Sequence, residues 1–197
     1  MLVILNYGVG NLKSILNAIR YVGGKAIVSE DLKNIKEAEG IILPGVGAFK
    51  PAIERLKSMN FSLDDLNVPV LGICLGMQLL ASESYEGGRH LGLNLLPGKV
   101  VRFPQKVGKI PHMGWNRVHF LRDHELFDGI ENGCYFYFVH SYFLQTSEDF
   151  VLSLTDYGIK FASSVARDNV LGTQFHPEKS GKAGLKVLEN FIGFCKK

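Results

Sequence analysis

The chain has 197 residues, with 22 Lys and Arg against 19 Asp and Glu for a formal net charge of +3, a balance too slight to argue for nucleic acid or a membrane surface as partner. The length fits one domain, residues 1–197, with enough interior for a good core, and no apolar run is long enough to span a bilayer. Three cysteines, Cys74, Cys134 and Cys195, show neither a pairing framework nor metal-ligand spacing, so no metal is expected, and a reducing, cytoplasmic compartment suits free thiols.

Met1-Leu2-Val3-Ile4-Leu5 is apolar but has no charged leader, so Leu2 to Leu5 reads as a first buried strand and not a signal peptide. A helix follows from about Asn11, with Leu12, Ile15, Leu16, Ile19 and Val22 on one face, and Gly23-Gly24 ends it. Lys25 to Val28 and Gly40 to Leu43 are short strands, the second closed by Pro44-Gly45. A helix is expected around Ala48 to Ser58, then a strand over Val68 to Ile73 and a helix from Leu75. Strands alternating with helices predict a parallel sheet with right-handed crossovers.

From Gly98 onward strand-like runs dominate: Lys99 to Phe103, Asn116 to Leu121, Cys134 to Leu144, Phe150 to Thr155, Ile159 to Ala166 and Val170 to Phe175. Asp156-Tyr157-Gly158 and Arg167-Asp168-Asn169 read as turns. A terminal helix over Gly184 to Phe194 turns Leu185, Leu188, Ile192 and Cys195 inward. The predicted fold is α/β: a central, mostly parallel sheet flanked by helices, with extra antiparallel strands in the second half. Its site belongs at the C-terminal ends of the parallel strands.

Cys74 stands at the join between an apolar strand and a helix, in Gly72-Ile73-Cys74-Leu75-Gly76. Glycines two places to either side permit a tight turn, as in a nucleophile elbow. The N–H groups opening the next helix favour thiolate over thiol. Taken alone, a buried cysteine is as readily a small apolar residue. Near the C-terminus, Gln174-Phe175-His176-Pro177-Glu178 puts a histidine and a glutamate two residues apart. On an extended segment they share a side, and the glutamate would fix the tautomer of a base acting on a thiol. By itself such a pair is more often a surface hydrogen bond.

The two segments together resemble the class I (triad) glutamine amidotransferases, in which Cys, His and Glu come in this order. The matching runs are Gly-Ile-Cys-Leu-Gly-Met-Gln-Leu-Leu, Gln-Phe-His-Pro-Glu-Lys-Ser and, over residues 43–49, Leu-Pro-Gly-Val-Gly-Ala-Phe. Three further runs, starting at Asn6, Ile110 and Tyr135, look like the glutaminase subunits of imidazole glycerol phosphate synthases within that family. No Gly-Gly-Glu-Ser-Thr segment of the pyridoxal phosphate synthase glutaminases is present, and an attached synthetase domain has no room. Asn6 departs from the Asp expected in many relatives.

The resemblance implies Cys74 as nucleophile, His176 as general base and acid and Glu178 as orienting carboxylate. For the oxyanion hole, Leu75 N–H follows from its place after the nucleophile and Val46 or Gly47 N–H from the resemblance; because the glycines make a peptide flip there cheap, the hole is expected to form only when a partner and its ligand are bound. Gln78, Glu86, Ser141 and Tyr142 would hold glutamine, with a solvated loop charge the alternative for Glu86. No cofactor is implied. The implied partner is a cyclase subunit with a (β/α)8 barrel, forming a heterodimer through Val9, Asn11, Trp115, Tyr137 and Lys179; a plain core residue is the alternative for Trp115. His112 and His140 suit packing or interface roles, and His90, His119 and His124 read as surface residues. Three rival readings remain: the same glutaminase feeding a sugar-amidating partner in surface-glycan synthesis, a cysteine peptidase or γ-glutamyl hydrolase on this scaffold, and a catalytically silent binding module.

Overall fold

The computed structural model describes residues 1–59, 63 and 67–196. In the first half, strands and helices alternate: β1 (Leu2–Leu5), α1 (Leu12–Tyr21), β2 (Ala26–Ser29), α2 (Leu32–Lys36), β3 (Gly40–Leu43), α3 (Phe49–Lys57), β4 (Val70–Ile73) and α4 (Leu75–Leu79). Then come β5 (Ala81–Ser84), β6 (His90–Leu91), β7 (Leu96–Arg102), β8 (His112–Arg117), β9 (His119–Phe120), β10 (Tyr135–His140) and β11 (Tyr142–Gln145). The hairpin strands β12 (Val151–Asp156) and β13 (Lys160–Arg167), then β14 (Val170–Thr173) and α5 (Gly181–Phe194), complete the chain.

The main sheet runs β2-β1-β3-β4-β14-β13-β12-β9. Neighbours from β2 to β14 are parallel, and those beyond β14 are antiparallel. Strand alternation divides the core between the two faces. Leu2, Ile4, Ile42, Leu71 and Ile73 pack with Ile15 and Ile19 of α1 and Val187, Leu188 and Phe191 of α5. Val3, Leu5, Ile41, Leu43 and Val70 pack with Phe49, Ile53 and Leu56 of α3 and Leu75, Met77 and Leu79 of α4. Fully burying such a side chain stabilises the fold by about 1.5–3 kcal/mol. Helix α1 stops where expected: Gly23, at φ +80°, donates its N–H to Arg20 O, and Gly24 N–H reaches Ile19 O, a glycine-closed C-terminus.

One pairing positions the site. β4 and β14 lie side by side with Gly72 opposite Gly172 and Ile73 opposite Thr173. Residues remote in sequence therefore leave the same end of the sheet together. A second sheet, β11-β7-β5-β6, and a two-stranded ribbon, β10-β8, flank that end.

Several expected boundaries move. The run Cys134 to Leu144 is two strands, because at Ser141 the chain leaves the ribbon with β8 and joins β7. The buried positions record the switch: Phe136, Phe138 and His140 alternate, then Phe143 and Leu144 are buried in succession. The strand expected over Asn116 to Leu121 starts earlier, at His112, and breaks at Val118 into β8 and β9. β14 ends at Thr173, and Pro177–Lys179 forms a 3-10 turn. Helix α5 begins at Gly181, so Gly184 lies inside it, at a point where a Cβ would collide with Pro177 O. Val187 and Phe191 join Leu188 in the core, while Leu185, Ile192 and Cys195 are partly buried against it. Helix α2 has weak apolar periodicity and forms on an Asp31 side chain that accepts from Lys33 N–H. Among the described residues no helix is long and apolar enough to cross a membrane.

Candidate active site

Cys74 occupies the turn between β4 and α4 with φ +53° and ψ −107°, a conformation that costs a non-glycine residue of order 1–3 kcal/mol. Its N–H donates to Thr173 O at 2.7 Å, and its own carbonyl accepts from Gln78 N–H at 3.2 Å. The flanking glycines serve close packing rather than unusual backbone angles. A Cβ on Gly72 would stand 2.7 Å from Met77 N, and one on Gly76 would collide with the Leu43 carbonyl. The strain is thus carried by the cysteine and held by β3, β4 and β14. Helix α4 has only five residues, so its effect on the sulfur comes from its first N–H groups more than from a summed dipole.

His176 follows directly from β14. Its N–H donates to Tyr137 O of β10 at 2.9 Å, and its carbonyl accepts from Ser180 Oγ at 2.6 Å. Ser180 Oγ in turn accepts from Tyr137 N–H at 2.9 Å. Phe175 anchors the segment among the rings of Phe136 and Phe138. His176 Nδ1 lies 2.9 Å from Glu178 Oε1, with both side chains almost wholly buried. A 3-10 turn makes this pair, rather than the extended segment that the spacing first implied. With Nδ1–H donated to the carboxylate, Nε2 is left buried and without a hydrogen bond of ordinary geometry. Burial opposes charge on the ring, but the Cys74 sulfur and the Glu178 carboxylate outweigh it and raise the pKa of His176. A proton held there suits delivery to a leaving amine.

Beside the sulfur opens a cavity of about 340 Å³ lined by Val46, Gly47, Leu75, Gln78, Glu86, Ser141 and Tyr142, with Pro111, Val139 and His140. Every residue expected at the oxyanion hole and around glutamine is therefore brought to one cavity with Cys74. The backbone N–H groups of Val46, Gly47 and Leu75 have no hydrogen-bond partner among the described residues. Neither does the Ser141 hydroxyl. Glu86 is fixed by Phe49 N–H, which donates to Oε2 at 3.1 Å, and burial raises its pKa. Gln78 donates to Tyr142 O at 2.9 Å and Gln174 Oε1 at 3.0 Å, which leaves its oxygen for a ligand.

The expected docking residues divide into two groups. Trp115 is 55% exposed, pairs across the ribbon with Tyr137 and meets its ring edge-on at 6.1 Å. Lys179 Nζ stands 5.9 Å from the centre of the same ring and has no acidic partner among the described residues. Val9 and Asn11 lie on the β1–α1 loop, whose Gly10 packs on Pro44. Asn6, the departure from the resembling pattern, accepts from Gly8 N–H and shapes that loop. His112 and His140 are buried, hydrogen-bonded to each other at 2.9 Å and enclosed by Phe103, Phe138 and Phe161. Sequence reading did not single out Gln174, Val139 or Ser180 as contacts of the triad. For Gln174 a signal existed, since it precedes His176 by two residues. Among the described residues no cluster of three or more His, Cys, Asp or Glu side chains could hold a metal ion.

The model of the class I glutamine amidotransferases matches residues 3–194. A chain of Archaeoglobus fulgidus named imidazole glycerol phosphate synthase subunit HisH is 58% identical, with all of both chains covered. Chains of the same name from Methanosarcina acetivorans and Methanothermobacter thermautotrophicus are each 47% identical over 98% of either chain. Among solved structures, a putative GMP synthase chain of Thermoplasma acidophilum superposes with a TM-score of 0.77 at 21% identity, covering 99% of this chain and 93% of that one. PurLQS of Thermotoga maritima gives 0.70 at 17% identity, covering 98% and 97%; these two show the shared fold. An elbow cysteine, a buried His–Glu pair and a model match over nearly the whole length agree: the chain belongs to the class I glutamine amidotransferase family.

Proposed function

We propose that the chain is the glutaminase subunit of an imidazole glycerol phosphate synthase. It releases ammonia from glutamine and passes it to a (β/α)8 barrel cyclase in histidine biosynthesis. The main support is the full-length 58% identity to a chain bearing that subunit's name. In this reading the Cys74 sulfur attacks the carboxamide carbon, and the tetrahedral oxyanion is held by Leu75 N–H and by Val46 or Gly47 N–H. His176 Nε2–H protonates the departing nitrogen, which leaves as ammonia. Water then gives a proton to the now neutral His176 Nε2 and its oxygen to the γ-glutamyl thioester, releasing glutamate and the Cys74 thiolate. Glu86 receives the α-ammonium, and Ser141 the α-carboxylate.

Trp115, Tyr137 and Lys179 form an aromatic and cationic platform that suits a buried anchor and an acidic residue on the barrel. Tyr137 is two residues from Val139, whose carbonyl lies 3.8 Å from the Cys74 sulfur. A partner seated there would cover the site and keep ammonia from protonation by bulk water. The test combines the chain with the barrel cyclase of the same source and its phosphoribulosyl nucleotide. Glutamate and imidazole glycerol phosphate should form in equal amounts. Cys74→Ala should stop both, and added ammonium salt should restore only the second. Glutamate release indifferent to the cyclase would point to another ammonia acceptor, such as a sugar-amidating enzyme.

A further inference from the structure

Gln174 is fully buried between β14 and His176, and its backbone N–H is tied to Ser163 O at 2.9 Å. Its side-chain oxygen accepts from Gln78 Nε2 at 3.0 Å, and its own Nε2 lies 3.6 Å from Cys74 Sγ, within N–H···S range. The orientation of both amides follows from a fixed backbone carbonyl. Tyr142 O is an obligate acceptor, so Gln78 turns its NH₂ group toward it at 2.9 Å. The second hydrogen of that NH₂ then needs an oxygen, and Gln174 supplies Oε1. The Gln174 NH₂ is left facing the sulfur. The same carbonyl also takes His140 Nδ1–H at 2.8 Å. This makes the His140 Nε2 an acceptor for His112 Nδ1–H, and His112 Nε2 an acceptor for Asn116 Nδ2–H at 3.2 Å. Every donor in the chain has a matching acceptor, and one of its ends is the nucleophile.

Among the described residues, two polar groups other than His176 contact the sulfur, with opposite preferences. Val139 O, at 3.8 Å, can only accept and so favours the S–H form. Gln174 N–H can only donate and so favours a sulfur that carries the negative charge. We propose that Gln174 is a positioning residue for the glutaminase reaction: held by Gln78 and the Tyr142 carbonyl, its amide N–H orients the Cys74 sulfur and favours the thiolate. This rests on the reading of Cys74 as nucleophile.

The test reads the pH dependence of Cys74 alkylation by iodoacetamide, located by peptide mass spectrometry, in the wild type, Gln174→Met and Gln174→Glu. Neither glutamine nor a partner is needed, so a chain that never released glutamate would defeat the proposed function without touching this result. The alkylation curve should move to higher pH by about one unit in Gln174→Met and further in Gln174→Glu. In the complex with the cyclase, kcat should fall about 10- to 100-fold in Gln174→Met while KM for glutamine stays within about threefold. An unmoved curve in a folded variant, or a loss confined to KM, would overturn the proposal. If both variants fail to fold, the wild type decides. The side-chain amide resonance of Gln174 should titrate together with Cys74 and lose that titration in Cys74→Ala. A resonance blind to Cys74 would overturn the proposal as well.

Discussion

The Cys74 elbow and the Pro44–Gly47 turn line the same cavity, yet the first is locked and the second is loosely held. At the elbow, backbone hydrogen bonds to Thr173 and Gln78 and the close approach of Gly76 to the Leu43 carbonyl impose a strained conformation. In the turn, the Tyr7 hydroxyl donates to Pro44 O and Gly45 packs on Leu75, but these contacts stop there. Val46 is 40% exposed, and Gly47 sits at φ +113° with open space where a Cβ would be. The nucleophile and the adjoining Leu75 N–H are therefore built by the fold, while the Val46 and Gly47 N–H groups, the other donors proposed for the oxyanion, sit on backbone that little restrains. A peptide rotation at Gly47 is cheap; under the proposed function it would let the site stay idle until a partner and its ligand select the productive turn.

The sharpest break of this comparison substitutes one glycine on each side. Gly76→Ala has no room, and its methyl group meets backbone rather than a flexible side chain. It should destabilise the chain by roughly 3 kcal/mol or more, read as a lower urea midpoint. Gly47→Ala has room but the wrong backbone angle. It should leave the urea midpoint nearly unchanged because the turn can relax, and lower cyclase-stimulated glutamate release by about 10²-fold, the cost of a lost oxyanion donor. Equal effects of the two changes on stability would erase the distinction.

A smaller effect probes the support beneath the elbow. Burial lowers the pKa of His112 to about 4 and that of His140 to about 3, so both are neutral in the folded chain. Folded values below the unfolded one mean that their contribution is complete above pH 6.5 and is lost as pH falls below it. At pH 5 the loss for the hydrogen-bonded pair together should be on the order of 2 kcal/mol. His176, whose folded pKa is raised, acts oppositely: its contribution is full below pH 6.5 and fades on the alkaline side. Urea denaturation from pH 7 to pH 5 should show a falling midpoint, with a shallower fall in His140→Gln. A flat wild-type profile would contradict neutral burial of the pair.

What the sequence disclosed follows the same division. Local period and turn chemistry made β1, α1, β3 and α3 legible, and the elbow was visible because a strand, a cysteine and a helix are neighbours in the chain. The pairing of His176 with Glu178 was found through an extended geometry that the 3-10 turn replaces. Where β10 gives way to β11 was not readable, because both strands are apolar and only their partners differ. Glu86 looked as much like a loop charge as a ligand, and its place depends on a contact with Phe49 across 37 residues. For Gln174 the two-residue spacing to His176 was a signal of place only: its contacts with Gln78 and Cys74 come from another strand and helix and could not be read locally.

One sample tests the account most directly: the free chain, assayed in parallel for Cys74 alkylation and for glutamate release, then again with cyclase and nucleotide. A prebuilt elbow with an unfinished oxyanion hole predicts ready alkylation of the free chain, slow glutamate release, and a large rise in release alone when the partner and nucleotide are added. Full glutaminase activity in the free chain, or alkylation that appears only with the partner, would contradict it.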